Sequence, residues 1–265
     1  MRKSAEWALV TGASGGLGAA LADSLAARGR NVVITARNAA ALDAVADRIR
    51  RARDVEVAVE ALDLAMPGAA ASLRDRLDER GVEPEIVVNN AAFGISGAFV
   101  DHEPPRLREM LQLNIVSLTE LSHVYGRRMA ARGRGRILLV ASMASYQPDP
   151  LLAAYGASKA YVLSLGQALH VELGPKVTVT VLSPGLMDTG FNAASGYQTP
   201  QSLRSMILPT TRVAEIGLDA LFAGKSSVIA GRLNQVMALC SRLVPANVSA
   251  KATYRLGAAQ AKAGG

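Results

Sequence analysis

The chain has 265 residues, half of them hydrophobic, with a formal net charge of +7 and few aromatics. One cysteine, Cys240, excludes an internal disulfide and fits a reducing, cytoplasmic setting, and the three histidines, His102, His123 and His170, offer no metal-ligand spacing. The first residues lack the apolar stretch and cleavage site of a leader, and no apolar run reaches the ~18 residues of a membrane span.

In chain order, Trp7 to Thr11 is a short apolar run, read as a strand. Gly12-Ala13-Ser14-Gly15-Gly16-Leu17-Gly18 follows it, and a helical pattern runs from Leu17 to Arg28. Asn31 to Thr35 is the second strand. Ala39 to Arg51 is helical, with Leu42, Val45, Ala46 and Ile49 on one face. Val55 to Leu62 is a third strand and Ala70 to Arg80 a helix closed by Gly81. Glu85 to Val88 is the fourth strand, and Pro105 to Arg132 reads as one long helix closed by Gly133. Arg127, Arg128, Arg132, Arg134 and Arg136 gather where that helix ends. Cations favour helix C-termini, so the cluster reads as a solvated helix end rather than a nucleic-acid patch. Arg136 to Ala141 is the fifth strand, Ala153 to Leu173 a helix, and Val177 to Leu182 the sixth strand. Thr211 to Ala223 is helical, and Ser227 to Ala230 is a seventh strand.

Strands alternating with helices imply right-handed crossovers and a parallel sheet. The strands are continuously apolar, as when helices cover both faces. The expected architecture is one doubly wound α/β domain over 1–265, with a core at 5–231 and a helical extension at 232–265. In that extension Leu233, Val236, Met237, Cys240, Leu243 and Val244 form one apolar stripe. It is expected to pack over a pocket or against another subunit; contact with a membrane surface is the less favoured alternative.

Two patterns carry chemistry. Gly12 to Gly18, with Ser14 and Leu17 between the glycines, joins a strand to a helix. Glycines permit close backbone approach, and the helix N-terminus attracts a pyrophosphate, so the turn reads as a dinucleotide cradle. In the helix from Ala153, Tyr155 and Lys159 stand one turn apart on one face. An ammonium beside a phenol is expected to lower the phenol's pKa and suit it to passing a proton. After the second strand the chain reads Thr35-Ala36-Arg37-Asn38, with no carboxylate to mark NAD. Arg37 can pair instead with the 2′-phosphate of NADP, so NADP(H) is expected over NAD(H); a surface arginine that merely starts a helix is the alternative.

The glycine spacing, Thr11-Gly12-x-x-x-Gly16-x-Gly18, resembles the T-G-x-x-x-G-x-G signature of the short-chain dehydrogenase/reductase family. Further motifs follow in the family's order: Asn89-Asn90-Ala91-Ala92, Leu113-Asn114-Ile115, Ser142 thirteen residues before Tyr155, and Pro184-Gly185-Leu186-Met187-Asp188-Thr189. The resemblance spans about residues 5 to 231. It implies a Rossmann domain with strand order 3-2-1-4-5-6-7 and a catalytic tetrad of Asn114, Ser142, Tyr155 and Lys159. Tyr155 would be the general acid or base, and Lys159 would lower its pKa and bind ribose hydroxyls. Ser142 would bond the substrate oxygen, and Asn114 would hold a relay water. Asp63 and Leu64 would meet the adenine, although Asp63 also suits a helix cap. Asn90, Ala91, Pro184, Gly185, Met187 and Thr189 complete the cofactor site.

By the same analogy Met143 to Ala154, Phe93 to Ala98 and the segment after Thr189 line a mainly apolar pocket, with Phe93, Ile95, Tyr146, Leu151, Leu152, Met187, Phe191 and Tyr197 among its side chains, and Phe191 to Met206 forms a lid. The function expected is hydride transfer between NADP(H) and a hydrophobic carbonyl or alcohol, in a homodimer or homotetramer. A non-catalytic nucleotide-sensing regulator and a peripheral membrane reductase are the alternatives.

Overall fold

The computed structural model describes residues 6–187 and 206–263. Seven strands form one parallel sheet: β1 (Trp7–Thr11), β2 (Asn31–Ala36), β3 (Val57–Ala61), β4 (Pro84–Asn89), β5 (Gly135–Val140), β6 (Val177–Ser183) and β7 (Ser227–Ile229). Their order is β3-β2-β1-β4-β5-β6-β7. Helices α1 (Gly16–Ala27), α2 (Ala39–Ala52), α3 (Ala69–Glu79), α4 (Pro104–Leu111), α5 (Leu118–Arg132), α6 (Ala153–Leu173) and α7 (Thr210–Phe222) connect them. Two more, α8 (Arg232–Leu243) and α9 (Ala246–Ala263), follow the last strand. The expected single doubly wound domain and its strand order are observed.

Successive strand residues point to opposite faces, and both faces are covered. Ala8 and Val10 pack with Leu21, Leu25, Leu42, Ile49 and Leu218 from α1, α2 and α7. Leu9, Val33 and Val87 face the other way, onto Leu73, Leu77, Leu121, Tyr125 and Val162 from α3, α5 and α6. Fully burying each leucine or valine contributes about 1.5–3 kcal/mol. The strand order reverses between β1 and β4, each running parallel beside the other. Such a switch point opens a crevice at the carboxyl ends of the strands.

The third strand is shorter than 55–62 at both ends. The helix expected from Pro105 to Arg132 runs through unbroken to Gly133, but its middle, Gln112–Ser117, is wound as a wider π-turn between α4 and α5. The extension is two helices, because Pro245 cannot donate to the turn before it. Asn234 and Ala238 are the buried residues of α8; of the apolar stripe, Leu233, Val236, Leu243 and Val244 are exposed, while the partly exposed Met237 reaches the cleft wall.

Three arginines of the cluster are drawn into ion pairs. Arg128 meets Asp78 through bonds of 2.6 and 2.7 Å, Arg132 meets Glu83 at 2.6 Å and Arg134 meets Glu85 at 2.8 Å. These exposed pairs add little stability singly, but they tie α5 and β5 to α3 and β4. Among the described residues no helix is long and apolar enough to cross a membrane.

Candidate active site

A cleft of about 540 Å³ opens at the switch point, with the glycine turn at one end and Tyr155 at the other. The turn depends on two close approaches. Gly12 has a positive φ of 67°, and a Cβ there would stand 2.8 Å from the Ala91 Cα. A Cβ on Gly18 would stand 2.1 Å from the Gly12 carbonyl oxygen, closer than atoms can come. No side chain caps α1, so its first-turn N–H groups are left for a phosphate. Ser14, Gly16 and Leu17 also line the cleft.

Asn90 donates to the carbonyls of Thr11 (2.9 Å) and Gly12 (3.2 Å). The Thr11 hydroxyl accepts from the N–H groups of Asn90 and Ala91. β4 thus holds the turn in shape. Asn90 is on the cleft wall; Ala91 is not, and its neighbours Ala92 and Phe93 are. Arg37 stands on the wall between β2 and α2, largely exposed, with Asp63 a loose 4.0 Å away. Leu64 is buried in the core, and the Asp63 carboxylate accepts from the Ala65 N–H (2.9 Å). Neither lines the cleft, and Asp63 closes a turn rather than capping α3, whose N-cap is Gly68. Pro184, Gly185 and Met187 line the cleft after β6. Thr189, Phe191, Tyr197 and most of the expected lid lie outside the described residues.

At the other end, α6 presents Tyr155 and Lys159, both buried. Lys159 Nζ donates to the Val140 carbonyl at 2.8 Å and lies 5.8 Å from the Tyr155 ring centre. Ser142 caps the short turn Met143–Ser145: its hydroxyl accepts from the Ala144 N–H, while its own N–H donates to Ser145. The same hydroxyl is hydrogen-bonded to Tyr155, so the cap and the contact with the phenol coexist. Asn114 lies in the π-turn, fully buried behind the wall. Its Oδ1 accepts from the Phe93 N–H, and its Nδ2 donates to the Phe93 carbonyl and Ser158. Ser158 in turn donates to the Tyr155 carbonyl. Asn114 thereby fastens the loop after β4 to the helix that carries Tyr155. Such π-turns are frequent at functional sites.

The electrostatics differ from the expected ones. Burial pushes the Tyr155 phenol up to about 12; the bond with Ser142 works against that rise, and the charge on Asp149 adds to it. Burial brings the Lys159 ammonium down to about 7. A lowered phenol was expected from the Lys159 charge. In the protein alone desolvation wins, because it disfavours the charged form of both groups.

Of the expected pocket residues, Phe93, Leu152 and Met187 line the cleft. Arg106 holds the Phe93 ring from 4.1 Å. Ile95, Tyr146 and Leu151 do not line it, and the Tyr146 hydroxyl is 3.2 Å from Ser183. Asp149 lines it from within the stretch Met143 to Ala154, where lining was expected, and Met237 lines it from the stripe expected to pack over a pocket. Asn234 lines it without having been foreseen, and nothing in the pattern marked it.

The chain is similar in sequence and fold to known proteins. The family model for short chain dehydrogenase matches residues 6–199. The 7beta-hydroxysteroid dehydrogenase of Collinsella aerofaciens is 32% identical over 88% of this chain and 89% of its own. A short-chain dehydrogenase from Sphingobium yanoikuyae, solved in complex with NADPH, superposes with a TM-score of 0.80 at 29% identity, over 89% of this chain and 93% of that one. The bulky-bulky ketone specific alcohol dehydrogenase from Comamonas testosteroni gives 0.76 at 30% identity, over 91% and 94%. With a glycine turn that a Cβ at Gly12 or Gly18 would distort, and relatives that are dehydrogenases, the cleft is a nicotinamide-cofactor site. The chain belongs to the short-chain dehydrogenase/reductase family and is an oxidoreductase acting on CH–OH groups.

Proposed function

We propose that the chain is an NADP(H)-dependent oxidoreductase that interconverts a bulky, hydrophobic carbonyl compound, steroid-like in size, and its alcohol. The observation that carries this reading is the Tyr155 phenol, bonded to Ser142 at the end of a largely apolar cleft that begins at the glycine turn. The named substrates of the relatives, a hydroxysteroid and a bulky ketone, support the substrate class.

When bound, the nicotinamide supplies or accepts the hydride. In reduction Tyr155 donates its proton to the substrate oxygen while Ser142 hydrogen-bonds that oxygen. A phenol kept protonated by burial suits an acid. Lys159, when charged, favours the phenolate left behind. Asn114 holds the Phe93 loop and α6 in register; with both side-chain N–H donors used, its side chain offers a relay water the second lone pair of Oδ1. Arg37, exposed and loosely paired, suits a 2′-phosphate.

Two variants test the reading, with NADPH consumption followed over a panel of ketones and aldehydes. Tyr155→Phe should bind NADPH as tightly as wild type and lose about 100-fold or more in turnover; undiminished turnover refutes the role. Arg37→Ala should lose about tenfold or more in kcat/KM for NADPH and little for NADH. Equal losses with both cofactors refute the preference.

A further inference from the structure

Among the described residues Asp149 is the one carboxylate on the cleft wall, and nothing in the chemistry above uses it. It follows the capped turn Met143–Ser145 and precedes α6. Pro148 and Pro150 flank it and restrict the backbone on either side. Its carbonyl oxygen accepts from the Leu152 N–H (3.0 Å), the Leu152 carbonyl from the Gly156 N–H (2.8 Å), and the Leu151 carbonyl from the Gly97 N–H (2.9 Å). The residue is therefore fixed on three sides. Its Cβ packs against Gly156, the neighbour of Tyr155: a Cβ built on Gly156 would lie 3.1 Å away.

Among the described residues the carboxyl group has no hydrogen-bond partner. An aspartate in a turn ordinarily accepts from backbone N–H groups one or two residues on, but here only its main-chain oxygen is used. Among the described residues no donor bonds the carboxylate, and burial alone accounts for the rise of its pKa to about 6. Its charge opposes ionisation of Tyr155. A partly buried anion with no partner costs stability, and a donor arriving with the substrate removes that cost.

We propose that Asp149 is a substrate-recognition residue whose carboxylate receives a hydroxyl or ammonium group carried by the substrate near its reacting carbon. The substrate class narrows from a plain hydrophobic ketone to one bearing a hydrogen-bond donor close to the carbonyl. The inference rests on the oxidoreductase reading of the cleft. Specificity of this kind is strong, because a site built around a buried polar group penalises the ligand that leaves it unpaired.

The test uses cyclic ketones of one carbon skeleton that carry hydrogen, hydroxyl or ammonium one to four bonds from the carbonyl. For each, kcat/KM is measured with NADPH for wild type, Asp149→Asn and Asp149→Leu. Wild type should prefer at least one donor-bearing ketone over its plain partner by about tenfold or more. Asp149→Asn should abolish a preference for ammonium and keep part of one for hydroxyl, since an amide oxygen still accepts. Asp149→Leu should abolish both. A preference that survives in Asp149→Leu, or its absence in wild type across the panel, overturns the inference while turnover of the plain ketones leaves the wider reading standing. If no ketone is turned over, the wider reading fails; calorimetric binding of the matched alcohols to wild type and Asp149→Leu then decides the inference, with equal affinities overturning it.

Discussion

Three ionisable side chains meet at the end of the cleft, and burial moves each toward its neutral form. For Asp149 the folded-state pKa, about 6, lies above the ordinary 3.8. The penalty falls on the ionised form, so it is absent below the ordinary value, grows as pH rises toward 6 and is complete above that. The difference corresponds to at most ~3 kcal/mol. Asp149→Asn should therefore raise Tm by several degrees near pH 7.5 and leave it almost unchanged near pH 4. Scanning calorimetry at the two pH values checks this; an equal shift at both would mean that the charge is not what costs. Lys159 carries the opposite sign. Its folded pKa of about 7 lies below the ordinary 10.5, so its penalty is full below about 7 and relieved as pH rises toward 10.5. That Ser142, Tyr155 and Lys159 share one end of a cleft was legible in the sequence because spacing and order are sequence properties. The direction of the phenol's shift was not, because desolvation depends on what the fold packs around the pair.

At the scale of elements, the position of α6 governs the geometry of the site, since it carries both Tyr155 and Lys159. Gly166 lets this helix lie close on the sheet: a Cβ there would stand 2.3 Å from Val181 Cγ2 on β6 and 3.0 Å from Leu139 Cδ1 on β5. Gly166→Val should lift α6, cost on the order of 1–3 kcal/mol and reduce kcat along with Tm. Ala160→Val places a similar bulk on the exposed face of the same helix and should leave kcat unchanged. Thermal melts and steady-state rates of the two variants separate lifting of the helix from a mere change in propensity. The strands and most helices could be read from the chain because apolar runs bounded by glycine report burial directly. The π-turn could not, since Leu113-Asn114-Ile115 holds no Gly or Pro to announce it. Nor could the facing of α8. Periodicity defines a stripe, but the side buried here is chosen by the Asn234 amide, which donates to the Ala230 carbonyl at 2.6 Å and fills the space beside Gly185.

For the whole molecule the question is what the last two helices do, because they differ from the rest in charge and in packing. Of the 29 Lys and Arg residues, six lie beyond residue 219, where there is no Asp or Glu, and the 23 before it nearly balance the 22 acids. Their outward face is apolar, with Leu233, Val236, Leu239, Leu243 and Val248 all more than half exposed. Their inner contacts reach the site instead. Met237 and Asn234 line the cleft, Ser241 donates to the Tyr146 carbonyl (3.3 Å), and Gln147 meets Thr253 at 3.5 Å. Both polar contacts land on the segment between Ser142 and Asp149, so the extension braces the substrate wall and leaves the cofactor cradle alone. Shortening the chain after Gly231 should therefore leave NADPH affinity within about twofold of wild type. The same change should raise KM for a bulky ketone by about tenfold, with a smaller effect on one as small as cyclohexanone. Fluorescence titration with NADPH and steady-state kinetics on both ketones make the measurement. If cofactor affinity falls together with both KM values, the extension is holding the whole domain, and the division of labour argued from these contacts is wrong.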